Sequence, residues 1–146
     1  MALLKKTRSA QYSLWASFTW NFGDTMVDKD GATKDFKSFG APFIGDVIPL
    51  PPGAVVIGGE VVTETAIATS TAYNISVGDS GLATRFLGIT DRVAAGRTAL
   101  VPTGFHGVGN DIRLTVTPTV ADATAGKVTL RVNYVVDGRC NENQIS

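Results

Sequence analysis

Hydrophobic and polar positions alternate with a period of two along most of the chain. The clearest run spans residues 128–136, in which Leu130, Val132 and Tyr134 fall on one side and polar residues fall on the other. Such alternation predicts a β-strand with one dry face and one wet face. We therefore expect Leu130, Val132 and Tyr134 to be buried.

A second regular run precedes the first. Residues 111–117 place Ile112 and Leu114 on one face, and the segment 121–126, which is rich in turn residues, separates this run from 128–136. Two alternating runs joined by such a segment are typical of a β-hairpin. We predict that these two strands pair with each other in antiparallel fashion.

Weaker alternation predicts six more strands. They span residues 12–20, 43–50, 54–63, 73–77, 84–89 and 97–101. The pair Gly58-Gly59 indicates a β-bulge or a close backbone approach within its strand. About eight strands with turn signals roughly ten residues apart favour an antiparallel β-sandwich or a barrel. The only helical structure that the pattern allows is a short turn at 89–95.

The composition agrees with an all-β fold. The 146 residues include 17 Thr, 16 Val and 8 Ile, but only 3 Glu and 6 Lys. β-branched residues favour strands, and long unbranched residues favour helices. A chain of this length predicts a single domain over residues 1–146. Within it we expect an N-terminal arm at 1–10 and a C-terminal tail at 138–146.

One internal segment differs from the strands around it. Residues 23–40 carry many charged residues and few apolar ones, so we predict a long polar loop that contributes little to the core. A loop of that length in a compact domain tends to be functional or mobile. Its residues Asp28 and Asp30 are candidate contacts with a partner.

Charge and targeting signals exclude several classes of partner. Thirteen cationic and thirteen acidic residues balance, so no net field attracts nucleic acid or an anionic membrane. No apolar run is long enough to cross a bilayer as a helix, and the N-terminus lacks the pattern of a secretory signal. The lone Cys140 suits a protein made in a reducing cytoplasm.

A protease-like motif is the one hint of catalysis. Residues 78–81 read Gly-Asp-Ser-Gly, the string around the nucleophile of trypsin-like proteases. That chemistry needs a histidine base near Ser80, and the single histidine, His106, follows Ser80 in the chain instead of preceding it. We interpret the motif as a turn between strands. We therefore give a hydrolase function the lowest weight.

Metal and cofactor sites are not expected. One histidine and one cysteine cannot form a zinc set. The sequence Asp28-Lys29-Asp30-Gly31 echoes part of a calcium loop but lacks the downstream glutamate ligand. We predict no catalytic residue, no cofactor and no bound metal.

The basic and aromatic residues indicate surface roles. Arginines recur at 85, 92, 97, 113 and 131 without interleaved aromatic rings, so we expect outward strand arginines and no nucleic-acid platform. Trp15 falls on the minority face of the first strand, which makes it an interface candidate. Lys5, Lys6 and Arg8 form a basic cluster in the arm.

Three stretches together resemble the decoration, or cement, proteins of tailed-phage heads. They are residues 46–62, with Pro51-Pro52-Gly53 before a long strand; residues 73–87, with a Gly-Asp turn before Arg-Phe-Leu; and residues 126–138, a closing strand. The resemblance spans about two thirds of the chain.

This resemblance implies a jelly-roll-like β-sandwich that binds the outside of a capsid. Its partners would be the major capsid protein and further copies of itself, as a homodimer or homotrimer. The protein would be made in the host cytoplasm and carried on the virion exterior. Candidate contacts are Lys5, Lys6, Arg8, Trp15, Asp28 and Asp30. The main alternative is a binding module of a phage tail or fibre with a sugar- or receptor-binding sandwich face.

Overall fold

Ten β-strands make up the regular structure of the residues that the structure describes. The structure is a computed structural model that describes Leu3 and residues 12–136. The strands are β1 (Leu14–Asn21), β2 (Thr25–Val27), β3 (Thr33–Asp35), β4 (Phe43–Ile48), β5 (Ala54–Ala68), β6 (Ala72–Gly78), β7 (Leu87–Asp91), β8 (Gly96–Ala99), β9 (Ile112–Thr119) and β10 (Ala125–Val136). Within this described part, no helix has the length and apolar character needed to cross a membrane.

Eight of the strands form two antiparallel sheets. The first sheet has the order β1-β10-β5-β8, and the second sheet has the order β4-β9-β6-β7. The pairs are nested along the chain, because β1 pairs with β10, β4 with β9, β5 with β8 and β6 with β7. One long antiparallel hairpin wrapped into two sheets in this way is a jelly roll. The prediction of an all-β sandwich of about eight strands is confirmed.

The core lies between the two sheets. β10 contributes Val128, Leu130 and Val132, and β9 contributes Ile112 and Leu114, all of them fully buried. These are the inward positions that the alternation predicts. The faces of the strands therefore follow from the sequence.

The predicted hairpin between residues 111–117 and 128–136 is wrong. β9 lies in the second sheet between β4 and β6, whereas β10 lies in the first sheet between β1 and β5. The connecting segment crosses from one sheet to the other, and the two strands face each other through the core instead of pairing. Alternation identifies the buried face of a strand, but it carries no information on the neighbour that completes its hydrogen bonds.

The burial prediction fails in part at Tyr134. This side chain is only half-buried, although it packs against the core. Its neighbour in the sheet is Leu14, the first residue of β1, which is itself exposed. β1 begins at this level, and no other described strand lies beyond it on that side of the first sheet.

The polar loop 23–40 is more ordered than predicted. β2 and β3 pair within it and form a short two-stranded ribbon. Phe36, just after β3, is fully buried in the core, with its ring centroid 4.5 Å from that of Phe43. The prediction that this segment contributes little to the core is therefore wrong at Phe36.

The predicted strand at 84–89 begins later than expected. Residues 79–86 form a loop, and β7 continues through Ile89 to Asp91. The short helical turn that the pattern allows at 89–95 does not form, since its first residues belong to β7. The cause is a loop anchored by Asp79, described below.

The predicted irregularity at Gly58-Gly59 is confirmed. The register of β5 against β10 shifts opposite Gly58. Gly59 has a φ of +144°, and a Cβ there would strike the carbonyl oxygen of Arg131 and the Leu100 side chain. Only glycine fits this close approach without displacing a neighbour.

A buried hydrogen-bond chain joins the two sheets and the ribbon segment. The Trp20 indole Nε1 of β1 donates to the Tyr73 hydroxyl of β6 at 3.0 Å, and that hydroxyl donates to the Phe36 carbonyl at 2.7 Å. Burial raises the pKa of Tyr73 well above its usual range, even though the Trp20 hydrogen bond opposes this effect. The phenol stays protonated and serves as both donor and acceptor.

We predict that Val132→Ala lowers the free energy of unfolding by about 1–3 kcal/mol, because it removes two buried methyl groups and leaves a cavity. Val108→Ala is the matched control, since Val108 is 74% exposed. It should change the free energy of unfolding by less than about 0.5 kcal/mol. Urea unfolding measures both, and equal effects would contradict the burial of the β10 face.

Candidate functional site

The candidate contact residues lie in three separate places. Trp15 is on the outer face of β1, with 60% of its surface exposed. Asp28 and Asp30 are in the turn of the ribbon, which lies against β4 through a hydrogen bond from the Lys29 N–H to the Ile44 carbonyl. Lys5, Lys6 and Arg8 lie outside the described residues. The structure does not bring Trp15 and the ribbon turn together.

The two ribbon aspartates have different environments. Asp28 Oδ1 accepts the backbone N–H groups of Asp30 and Ala32 at 2.9 and 3.0 Å. Desolvation raises the pKa of Asp28, but these two hydrogen bonds and the nearby Lys34 and Lys29 charges outweigh it and hold the pKa below its usual value. Asp30 pairs with Lys29 at 3.1 Å and stays largely exposed. Asp28 thus shapes the turn, and Asp30 is the more accessible carboxylate.

A ladder of ion pairs covers the outer face of the first sheet. Glu60 lies between Arg97, at 2.9 Å, and Arg131, at 3.1 Å. Glu64 contacts Lys127 at 3.2 Å and accepts a hydrogen bond from the Thr129 hydroxyl at 2.8 Å. Opposite charges on neighbouring strands of one face stabilise their pairing.

These contacts favour the ionised form of both glutamates. The Arg97 hydrogen bond is the largest of several influences that lower the pKa of Glu60. The pKa of Glu64 is lowered mainly by the hydrogen bond from Thr129 and next by the hydrogen bond from Lys127. The ladder therefore depends on the glutamates remaining deprotonated.

The arginines confirm the sequence interpretation in part. Arg97 and Arg131 point outward from the first sheet, and Arg113 points outward from the second sheet, where its Nε lies 2.9 Å from Asp46 Oδ1. Arg92 and Arg85 differ, because they bind within the fold. Arg92 donates hydrogen bonds to the Thr98 hydroxyl and the Ala94 carbonyl.

The Gly-Asp-Ser-Gly segment is a loop anchored by its aspartate. Asp79 is 3% exposed, and its Oδ1 accepts the N–H groups of Gly81 and Leu82, both at 2.9 Å. Its Oδ2 lies 2.8 Å from Arg85 Nε. A Cβ at Gly78 would strike the Leu82 carbonyl oxygen, so the first glycine is required by the tight loop.

Arg85 extends this anchor to a second loop. Its guanidinium carbon lies 3.6 Å from the centroid of the Phe105 ring, a cation–π contact between the loops at 79–86 and 100–111. The next residue, His106, forms a bridge with Val55 of the first sheet. Among residues 12–136, the carboxylate of the motif thus stabilises a loop through Arg85 and two backbone amides. This arrangement gives the hydrolase hypothesis no support.

A groove lies on the outer face of the second sheet. It encloses about 480 Å³ between the ribbon turn at Lys29 and the loop at 79–86. Its floor includes Ile44, Ser76 and Thr115, and the Thr115 Oγ1 is buried without a hydrogen-bond partner in the described structure. The sequence predicts that Thr115 points outward. It could not predict the groove, because the walls come from segments far away in the chain.

We predict that Asp79→Ala lowers the free energy of unfolding by about 3–5 kcal/mol, because it leaves the Arg85 charge and two loop amides without their partner. Asp46→Ala is the matched control. Asp46 also pairs with an arginine, at 2.9 Å, but it is 40% exposed, so its loss should cost less than about 1 kcal/mol. Urea unfolding of both variants measures the difference, and similar losses would show that Asp79 is not the anchor of the loop.

Acid should weaken the fold through the glutamate ladder. A carboxylate whose pKa is lowered by folding stabilises the native state above its unfolded pKa, and this contribution is lost as the pH falls through the folded pKa. For Glu60 and Glu64 that loss occurs below pH 4.5. We predict that the double variant Glu60→Gln and Glu64→Gln loses less stability than the unmodified protein between pH 7 and a pH below 4.5. Urea midpoints at the two pH values test this, and parallel losses would contradict it.

Comparisons with known proteins show that the fold is similar to that of chains in solved structures. No protein-family model and no curated protein matches the chain. A chain in the capsid asymmetric unit of cyanophage Pam1 is 18% identical, with a TM-score of 0.56 over 93% of this chain and 91% of that one. A chain in the acidic stable capsid of Helicobacter pylori bacteriophage KHP30 is 21% identical, with a TM-score of 0.59 over 90% and 92% of the two chains. A chain in the capsid of Ralstonia phage GP4 is 15% identical, with a TM-score of 0.55 over 93% and 90%. The protein thus shares its fold with chains found in three phage capsids.

Proposed function

We propose that this protein is a structural component of a phage head that binds the outer surface of the capsid and joins neighbouring major capsid subunits. The observation that carries the proposal is the likeness of fold to chains in three phage capsids. The likeness covers at least 90% of this chain and of each of the other chains. The resemblance of residues 46–62, 73–87 and 126–138 to cement proteins supports the same role.

The share of each matched chain that aligns with this one also indicates which kind of capsid component the protein is. Because nine-tenths of each matched chain is covered, those chains are sandwiches of about this size and not domains of a much longer chain. A single sandwich of this size suits an accessory protein added to a completed shell. Many copies on one shell would attach through avidity without strong individual affinity.

In the proposed role, the β-sandwich and the N-terminal arm have different tasks. The sheets hold the shape, whereas contacts with the shell come from Lys5, Lys6 and Arg8 of the arm. Trp15 and the exposed carboxylate of Asp30 offer further contacts on the sandwich itself. Asp28 contributes by fixing the turn that presents Asp30.

The alternative, a tail or fibre module with a sugar-binding face, has less support. Sugar sites commonly place an exposed aromatic ring beside an amide or carboxylate. Trp20 is buried in the core, which leaves Trp15 as the exposed tryptophan. Asn133 is its neighbour in the sheet, but the Asn133 Oδ1 is buried and not open to a ligand.

The arm provides the test. We expect deletion of residues 1–8 to leave the urea midpoint unchanged and to weaken binding to undecorated heads. Replacing Lys5 and Lys6 by Gln should weaken binding about threefold to tenfold at low salt and much less at high salt, if the arm meets an acidic shell surface. Sedimentation of heads with bound protein measures the change.

Lys34→Gln with Lys37→Gln is the charge-matched control, because it removes two cations from the ribbon segment and keeps the arm. It should bind like the unmodified protein. Equal binding by the truncated and full-length forms would reject the arm and move the contact to the face around Trp15. Failure of the full-length protein to bind heads would reject the proposed function.

A further inference from the structure

The four edges of the two sheets differ in how they are protected. An unprotected edge strand is a template for pairing with another strand. β8 and β7 are short, with four and five residues, and carry Arg97 and Asp91 respectively. The edge of β4 is covered by the ribbon turn through the Lys29 N–H and the Ile44 carbonyl. Each of these edges has a short length, a charge or a cover.

β1 has none of these protections. It has eight residues, Leu-Trp-Ala-Ser-Phe-Thr-Trp-Asn, without a charge, a proline or a bulge. Among the described strands its partner is β10 alone, and within that part of the chain its other side is an edge of the first sheet, called the free edge below. An edge strand without such protection can pair with a strand of another molecule through its backbone N–H and C=O groups.

The hydrogen-bond pattern identifies which groups are free. Phe22 continues the register of β1 with β10, and its N–H donates to the Gly126 carbonyl at 3.1 Å. Hydrogen-bonded residues alternate along an antiparallel pair. The backbone N–H and C=O groups of the even-numbered residues of β1 therefore point toward β10, and those of the odd-numbered residues point toward the free edge. Asn21 agrees, because its N–H donates away from β10 to Asp24 Oδ2 at 2.8 Å and its carbonyl accepts the Asp24 N–H at 3.1 Å.

Three residues therefore present backbone groups that have no partner among residues 12–136. Trp15, Ser17 and Thr19 each direct one N–H and one C=O to the free edge, while the turn at Asp24 already uses those of Asn21. These three residues are centred on Ser17. A second β1 strand, related by a two-fold axis at Ser17, would place Ser17 opposite Ser17 and Trp15 opposite Thr19. All three donors and all three acceptors of each copy would then be paired.

We propose that two copies of this protein pair through their β1 edges, antiparallel and centred on Ser17, and so form one continuous eight-stranded sheet. The match between the two copies is complete in hydrogen bonds and free of charge repulsion, because the strand is uncharged. The contact is isologous and closes as a dimer.

Side chains next to the edge fit the same register. A crevice of about 430 Å³ lies beside β1, with a mixed lining of the apolar side chains of Phe18, Trp20, Met26 and Phe36 and the residues Thr19, Gly23, Asp24 and Thr25. The two-fold register places Leu14 of the second copy opposite Trp20, one of the residues that line this crevice. Leu14 is 44% exposed in the single chain although it is on the inward side of β1. Pairing gives this side chain an apolar neighbour.

The dimer also has a consequence for capsid binding, and this consequence rests on the proposed function. A two-fold axis perpendicular to the first sheet turns the same sheet face of both copies toward one side. It also places the first residues of the two β1 strands at opposite ends of the central strand pair. A dimer of this shape suits the joining of two neighbouring capsid subunits.

The test is the oligomeric state of the free protein without heads. We expect light scattering after size-exclusion chromatography to give a dimer that dissociates on dilution. Ser17→Lys places two like charges opposite each other at the centre and should weaken dimerisation at least about tenfold. The matched control is Ala99→Lys, an exposed position on the outer face of β8 at the other edge of the same sheet, and it should leave the dimer unchanged.

A disulfide tests the register. In a Cys140→Ser background, Ser17→Cys should form a covalent dimer on mild oxidation, because directly opposed residues have Cα atoms about 5.5 Å apart, within the range that a disulfide spans. Ala99→Cys should stay monomeric on a denaturing gel. A monomeric unmodified protein, or equal cross-linking by both variants, would overturn the proposal. Head binding is measured separately, so a monomer that still binds heads would reject the dimer and keep the proposed function.

Discussion

The contact between Trp20, Tyr73 and the Phe36 carbonyl holds three parts of the molecule in register. Packing between two sheets is otherwise apolar and has little directional preference, so it tolerates sliding. A buried indole N–H and a buried carbonyl need partners, and the single phenol of Tyr73 serves both. The first sheet, the second sheet and the segment after the ribbon are thus fixed at one point. The ribbon turn, which covers the edge of β4, depends on that placement.

The outer surfaces follow from this arrangement. Once the sheets are in register, the first sheet presents the paired charges of Glu60 and Glu64, and the second sheet presents a groove with the unpartnered Thr115 hydroxyl. The loop held by Asp79 and Arg85 forms one wall of that groove. The Gly-Asp-Ser-Gly motif at residues 78–81 thus stabilises a loop, which agrees with the proposal that this is a structural protein of the virion.

The unprotected edge of β1 has its own physical consequence. A strand with free N–H and C=O groups in contact with water loses little in the monomer, because water satisfies them. The same groups become a specific interface when an identical strand approaches, since uncharged side chains add no repulsion. The proposed dimer uses backbone groups of Trp15, Ser17 and Thr19, whereas the proposed shell contacts of the arm use the side chains of Lys5, Lys6 and Arg8.

Local alternation and the β-branched composition were enough to predict the fold class, most of the strands and the inward faces of β9 and β10. The sequence also indicated the bulge at Gly58-Gly59, a local backbone requirement. Strand pairing was decided only by the tertiary structure: β9 and β10 lie in different sheets, since a hydrogen-bond partner is set by the whole topology. The burial of Phe36, the groove around Thr115 and the free edge of β1 likewise depend on segments distant in the chain, which no local pattern can bring together.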